Sequence, residues 1–244
     1  MKASQFRTVA TLFAIVACAT TAHAQNLLTN GDFSQGHGGQ TWVGWTPGND
    51  APTGFIGIAT LAEFNAMTVT YTGSNNSMLV PLNTPSGVYD PNWQVLGTLG
   101  FGQGPWTHTI SQQVNGLVVG QSYTLSFIEA AGNFSNIAQP STLTWTVNFG
   151  NQSQRSSVTT PAALTATGWT NVSYTFVANS TSQLLSFAGS AVGNVAPQPV
   201  LFLGNVSLTP FTPAVPEPSS LVLMSSGLLA VGALSRRRFG QNKA

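Results

Sequence analysis

Leu143-Thr144-Trp145-Thr146-Val147-Asn148-Phe149 alternates apolar and polar side chains without a break. Successive side chains of an extended strand point to opposite sides, so this stretch predicts a strand with one buried and one wetter face. The same period recurs in Tyr123, Leu125 and Phe127 against Thr124 and Ser126, and in Val172, Tyr174 and Phe176 against Ser173 and Thr175. Further candidate strands are Met67–Tyr71, His108–Val114, Gln183–Ala188 and Val200–Leu208. Gly, Pro and Asn punctuate these runs as turn residues do, and no stretch keeps an apolar helical period. Closely spaced strands without crossover helices predict an all-β body, an antiparallel two-sheet sandwich of jelly-roll type. A right-handed β-helix would need a fixed short repeat, and none is present.

Outside the body, the two ends of the chain read as address labels. Lys2 and Arg7 form a basic segment, Thr8–Thr20 an apolar one, and Ala22-His23-Ala24 a small-residue cleavage site. That is the pattern of a secretory signal peptide over residues 1–24, with the mature chain starting at Gln25. At the other end, Val215-Pro216-Glu217-Pro218 leads into an apolar run, followed by Arg236, Arg237 and Arg238. The prolines lock φ and withhold donors, so the segment is extended and exposed. The run is about 16 residues, roughly 24 Å as a helix, enough to cross a bilayer core of roughly 30 Å if its ends snorkel or the membrane thins. A basic cluster stays on the cytoplasmic side and stops transfer. The expected divisions are a β-sandwich domain at 25–210, a Pro-rich linker at 211–218, a single transmembrane helix at 219–235 and a basic cytoplasmic tail at 236–244.

Charge separates the body from its labels. Between the two ends stand Asp32, Asp50, Glu63, Asp90 and Glu129 against the lone Arg155, a net of about −4 at neutral pH. One arginine and no lysine cannot neutralise a phosphate backbone, which excludes nucleic acid as a partner. The chain's one cysteine, Cys18, lies in the leader. The mature body therefore has no disulfide and no thiolate, and must be held by burial alone.

The tail Val215–Phe239 resembles the PEP-CTERM protein-sorting signal of bacterial exported proteins. The resemblance implies that Pro216, Glu217 and Pro218 are recognised by a membrane-embedded exosortase after passage through the export machinery. It also implies an inner-membrane-anchored precursor that ends in the cell envelope or outside the cell, in company with exopolysaccharide.

The body is similar to galactose-binding-like jelly rolls, the fold of many carbohydrate-binding modules. The resemblance rests on Asn26–Phe33 as an opening strand, Trp42–Thr46, Ile110–Gln113, Gly120–Phe127, Gly168-Trp169-Thr170 and Gly204–Leu208. Such domains often keep a structural calcium near the paired chain ends, for which Asp32 is the one nameable ligand here; the expected cofactors are otherwise none. Weighing against the ion, Gly204 stands where a second acidic ligand would be expected.

No enzyme signature is present, and the body is expected to be non-catalytic. There is no G-x-S-x-G elbow. Glycoside hydrolysis needs a carboxylate pair; Glu129 shares the face of Tyr123, Leu125 and Phe127 by parity, but its expected place is a strand end reaching water. His37, in a Gly-rich segment, and His108, at a strand start, read as a loop and a surface histidine without metal spacing.

The stronger signal is aromatic. Trp93 and Trp106 flank Leu96–Pro105, a Gly-rich stretch with neither strand nor helical period that reads as a loop. Indole faces stack on sugar C–H faces while amides and carboxylates take the hydroxyls, so Trp93, Trp106, Asp90, Asn92 and Gln103 form the candidate glycan contact, the alternative being that these tryptophans cap the ends of the sandwich. Trp42 and Trp45 have a similar setting, and Trp145 and Trp169 read as core. The expected function is weak association with exopolysaccharide; the alternatives are a self-associating structural protein and, behind it, a polysaccharide-processing enzyme using Glu129 or Asp90. For the tail, Glu217→Ala should leave an unprocessed, membrane-retained precursor, read by fractionation and immunoblotting. Processing and location identical to the parent would contradict the sorting role.

Overall fold

The computed structural model describes residues 25–36, 42–48, 54–71, 74–77, 92–100, 106–134, 141–160, 162–192 and 198–211. The leader, the P-E-P segment, the apolar run at 219–235 and the three arginines lie outside these residues, as do His37, Asp90 and Gln103. Among the described residues no helix is long and apolar enough to cross a membrane.

In chain order the first elements are β1 (Thr46–Pro47), β2 (Gly54–Thr60), α1 (Leu61–Ala66), β3 (Thr68–Tyr71), β4 (Ser74–Ser77) and β5 (Gln94–Gly100). They are followed by β6 (Trp106–Asn115), β7 (Ser122–Asn133), β8 (Thr142–Phe149), β9 (Gln152–Arg155) and β10 (Val158–Thr159). The last are β11 (Thr170–Val177), β12 (Ser182–Val192) and β13 (Pro199–Pro210). One antiparallel sheet has six strands in the order β1-β6-β12-β8-β10, with β9 also paired to β8; the other has five in the order β11-β7-β13-β5-β2. The strands β3 and β4 pair with each other.

The two sheets form a sandwich because alternation gives each an apolar face. Leu143, Trp145, Val147 and Phe149 of β8 are fully buried, as are Leu185 and Phe187 of β12. Across the gap, Phe187 meets Phe127 of β7 edge-on, with centroids 5.3 Å apart. Phe149 meets Phe176 of β11 at 5.7 Å. The Trp145 Nε1 donates to the Phe202 carbonyl of β13 at 3.2 Å, so the largest core side chain also satisfies its polar atom.

A second, smaller core lies on the outer face of the five-stranded sheet. Leu61 and Phe64 of α1 cover Val95, Leu99, Ala130, Val200 and Phe202, with Phe134 beside them. The helix starts at a capping box: Glu63 N donates to Thr60 Oγ1 at 3.1 Å, and Thr60 N donates to Glu63 Oε2 at 2.8 Å. Burial on both faces explains why Leu96–Gly100 reads as a loop yet forms the greater part of β5: a strand covered on both sides has no reason to alternate. The Asn26–Phe33 segment departs in the opposite sense. It is an irregular strap, not a strand, because Asn30 (φ 52°) and Phe33 (φ 59°) turn the chain.

Gly97 of β5 sits directly under Phe64: a Cβ there would lie 2.5 Å from Phe64 Cζ. The Phe64 ring is held edge-on by Phe202 at 5.0 Å and is buried, so it cannot swing aside cheaply. Gly97→Ala should therefore destabilise the fold by about 1–3 kcal/mol through overpacking. Urea denaturation measures this, and an unchanged midpoint would contradict the packing.

Candidate functional site

The strap closes one edge of the sandwich. Its anchors reach both sheets: Leu27 N donates to Leu208 O of β13 at 2.8 Å, and Gln112 of β6 grips the Thr29 backbone from both sides, accepting from its N–H at 2.7 Å and donating to its carbonyl at 2.9 Å. Asn30 is buried and fully used, donating to the Gln35 and Val43 carbonyls and accepting from Gln35 N. Trp45 Nε1 donates to the Asn30 carbonyl at 2.9 Å. Gly31 approaches β13 so closely that a Cβ would collide with the Val206 carbonyl.

Opposite the strap, β13 carries a bulge between Gly204 and Ser207, with Asn205 at φ 47°. Strap and bulge enclose an open groove of about 380 Å³, lined by Asn26, Asp32, Ser34, Gln35, Asn205 and Ser207 among others. Among the described residues the side chains of Gln35, Asn205 and Ser207 make no hydrogen bond, and Asp32 uses only Oδ1, which accepts from Ser34 N and Oγ. The groove thus offers a carboxylate oxygen, two amides and a hydroxyl to a ligand, without an aromatic floor.

Among the described residues the groove brings one carboxylate, that of Asp32, toward the calcium expected there. Calcium takes about 6–8 oxygen ligands. Asp32 is one exposed carboxylate, and the Asn30, Gly31 and Val206 carbonyls already accept from protein donors. Among the described residues no three His, Cys, Asp or Glu come together.

Of the expected aromatic contact, Asp90 and Gln103 lie outside the described residues, and the described members Trp93 and Trp106 stand on different sheets. Trp106 is buried between the sheets and stacks on His108, centroids 5.3 Å apart, so its face is closed to a sugar. His108 is also buried, not on the surface: its Nδ1 shares a 2.7 Å hydrogen bond with Thr98 Oγ1 of the opposite sheet. Both share parity with Ile110 and Val114 of β6, and that register is the signal that assigns them to the core. Trp45 is likewise core. Trp93 lies elsewhere, on the outer face of the five-stranded sheet, half-buried and edge-on to Trp169 at 5.0 Å. Trp169 is half-buried beside that second core, while Trp145 is in the main core as expected. Asn92 is exposed next to Trp93.

Glu129 is a further departure. It lies within β7, not at its end, and is 3% exposed. Ser156 Oγ, from the turn between β9 and β10, donates to Glu129 Oε2 at 2.5 Å. Burial pushes the carboxyl above the ordinary glutamate range, with the Ser156 hydrogen bond partly opposing it. Tyr174 of β11 is pushed up as well, by burial first and then by the Glu129 charge. Among the other described carboxylates, Glu63 caps α1 and Asp32 Oδ1 accepts from Ser34 in the strap.

Comparison with known proteins places the tail. Residues 214–238 match the model of the PEP-CTERM protein-sorting motif, which implies an exported protein processed by exosortase, a membrane enzyme. No curated protein sequence matches the chain. Among solved structures it is similar to TmCBM61 in complex with β-1,4-galactotriose (14% identity, TM-score 0.44, covering 77% of this chain and 100% of that one). It is also similar to the CBM22-1 xylan-binding domain of Paenibacillus barcinonensis Xyn10C (15%, 0.41, 80% and 100%). A third is a putative sugar binding protein from Bacteroides thetaiotaomicron (11%, 0.39, 77% and 100%).

The raised Glu129 pKa fixes a sign. The folded state holds its proton more tightly than the unfolded chain, so this group's stabilisation is complete below about pH 4.3 and is lost as pH rises through the folded pKa. Over that window Glu129→Gln should have a flatter stability-versus-pH curve than the parent, measured by urea denaturation at a series of pH values. Parallel curves would contradict the burial.

Proposed function

We propose that this is a non-catalytic exported protein whose sandwich body holds a hydroxyl-rich polysaccharide weakly in the groove between the strap and the β13 bulge. The observation that carries the reading is the set of unpartnered polar groups along that groove: Asp32 Oδ2, the Gln35 and Asn205 amides, and the Ser207 hydroxyl. Such groups match the alternating donors and acceptors of sugar hydroxyls. A groove that is open and lacks an aromatic floor supports modest affinity, because each neutral hydrogen bond contributes only about 0.5–1.5 kcal/mol net of the water it displaces. The setting agrees. The tail marks the protein for the envelope, and a body with few charges neither attracts nor repels a neutral glycan over distance.

Trp93, Asn92 and Trp169 remain a secondary contact in this reading: half-buried indole edges on the outer face of the five-stranded sheet, where a chain leaving the groove would find apolar surface. Trp106 has no part in it.

Asp32→Ala combined with Gln35→Ala should weaken binding to the producing cell's soluble exopolysaccharide by about tenfold, two hydrogen bonds at roughly 0.7 kcal/mol each. Affinity electrophoresis measures it, with dextran in a parallel gel. Both residues are exposed, so the fold should survive. Undiminished retention of the double variant would contradict the groove, and if Trp93→Ala alone abolished retention the contact would move to the outer face.

A further inference from the structure

All the large apolar side chains that stand exposed among the described residues gather at one end of the sandwich. Val118 and Val119 are 58% and 59% exposed, Val177 43%, Leu184 49% and Phe211 47%. The pairing places them together. Val177 is opposite Ser122 at the start of β7, and Phe211 N donates to the Ser122 carbonyl at 2.9 Å. Val118 N donates to the Tyr123 hydroxyl at 2.9 Å, and the β12 start is tied to the same end by Leu117 N donating to Thr181 O at 3.0 Å. The loops that build this end, 116–121, 150–151 and 178–181, contain no charged residue. Water-facing loop tips of a soluble domain are normally polar, and a grouped apolar tip marks a docking surface.

What covers the tip follows from where the chain goes next. Phe211 is the last described residue, and only residues 212–218 separate it from the apolar run at 219–235, a span of at most about 25 Å fully extended. We infer that this tip rests on the bilayer surface, with Val118, Val119 and Phe211 seated at the headgroup boundary while the tail is still inserted. The inference rests on the reading of 219–235 as a membrane-inserted helix. The tether keeps the tip at high effective concentration over lipid, the absence of charge in these three loops removes the cost of desolvating an ion there, and the loops themselves bring no carboxylate to anionic headgroups. One consequence is orientation: with the tip down, the strap and groove are held to the side of the sandwich and stay open to the space outside.

The test uses the full chain carrying Cys18→Ser, reconstituted in vesicles of phosphatidylethanolamine and phosphatidylglycerol. A single reporter cysteine is placed at Val118→Cys or, at the opposite end of β6, at exposed Thr107→Cys, and labelled with a fluorophore quenched by spin-labelled lipid. Apolar side chains seated about 5–10 Å into the boundary should give about threefold or more stronger quenching at position 118 than at 107. Adding Val119→Asp and Phe211→Ser should bring position 118 down to the level of 107 while the protein still floats with the vesicles. Equal quenching at both positions in protein that floats and resists alkaline extraction would overturn the docked tip, and a cross-link between two Val118→Cys copies would then assign the tip to self-association. Failure to float at all would overturn the membrane-helix reading itself, and the inference with it.

Discussion

Phe187 stands at the centre of the molecule. From the middle of β12 its ring meets Phe127 at 5.3 Å, Trp145 at 6.1 Å and Trp45 at 6.2 Å, so it joins both sheets and the segment that follows the strap. A body without cysteine depends on such contacts. An aromatic ring buries about 200 Å², which at roughly 25 cal/mol per Å² is about 5 kcal/mol before entropy and as an upper bound. A disulfide typically contributes about 2–4 kcal/mol. One interlocked ring is therefore of the same order as the covalent staple the body lacks.

Polar groups inside the sandwich are few, and they hold register more than they add stability. The Trp145 indole finds the Phe202 carbonyl, and His108 finds Thr98 across the sheets. Glu129 finds Ser156. Each of these three is satisfied by a group from another element, so a slip of register would orphan a buried donor or acceptor and cost about 1–3 kcal/mol. The buried Trp106 Nε1 has no such partner among the described residues. The outer core under α1 extends the same logic to the far side of the five-stranded sheet. The interior and the outer face of the five-stranded sheet are occupied by packing, while accessible polar groups stand along the outer face of the six-stranded sheet and at the edge, where the strap meets the bulge.

The sequence was most legible where a strand has one wet face. Leu143–Phe149, Tyr123–Phe127 and Val172–Phe176 alternate because only one side of each is in the core, and each is a strand where expected. Leu96–Gly100 was illegible for the opposite reason, since Val95 and Leu99 face α1 while Leu96 and Thr98 face the main core. Trp106 and His108 belong to the core by their parity with Ile110 and Val114, a signal that residue type alone does not carry. The groove was legible only in part, through the resemblance that sets Asp32 near Gly204 of the last strand. It is built from left-handed backbone at Asn30, Phe33 and Asn205 and from a bulge, and these bring residues 26–35 against 205–207 by long-range closure that no local pattern encodes. The tail was legible because its parts act in sequence order and need no folded partner to be recognised.

These features describe a chain in which targeting and contact are divided by position. Basic charge is concentrated in the two ends of the sequence, and the body presents a carboxylate, amides and a hydroxyl at one edge and an apolar tip near Phe211. The central claim is that the edge groove is the contact surface. Amide chemical-shift mapping of the labelled protein against its native exopolysaccharide tests it most directly. The account predicts that perturbed resonances cluster at Asp32, Ser34, Gln35, Asn205 and Ser207. Perturbations confined to other faces, or none at saturating polysaccharide, would contradict it.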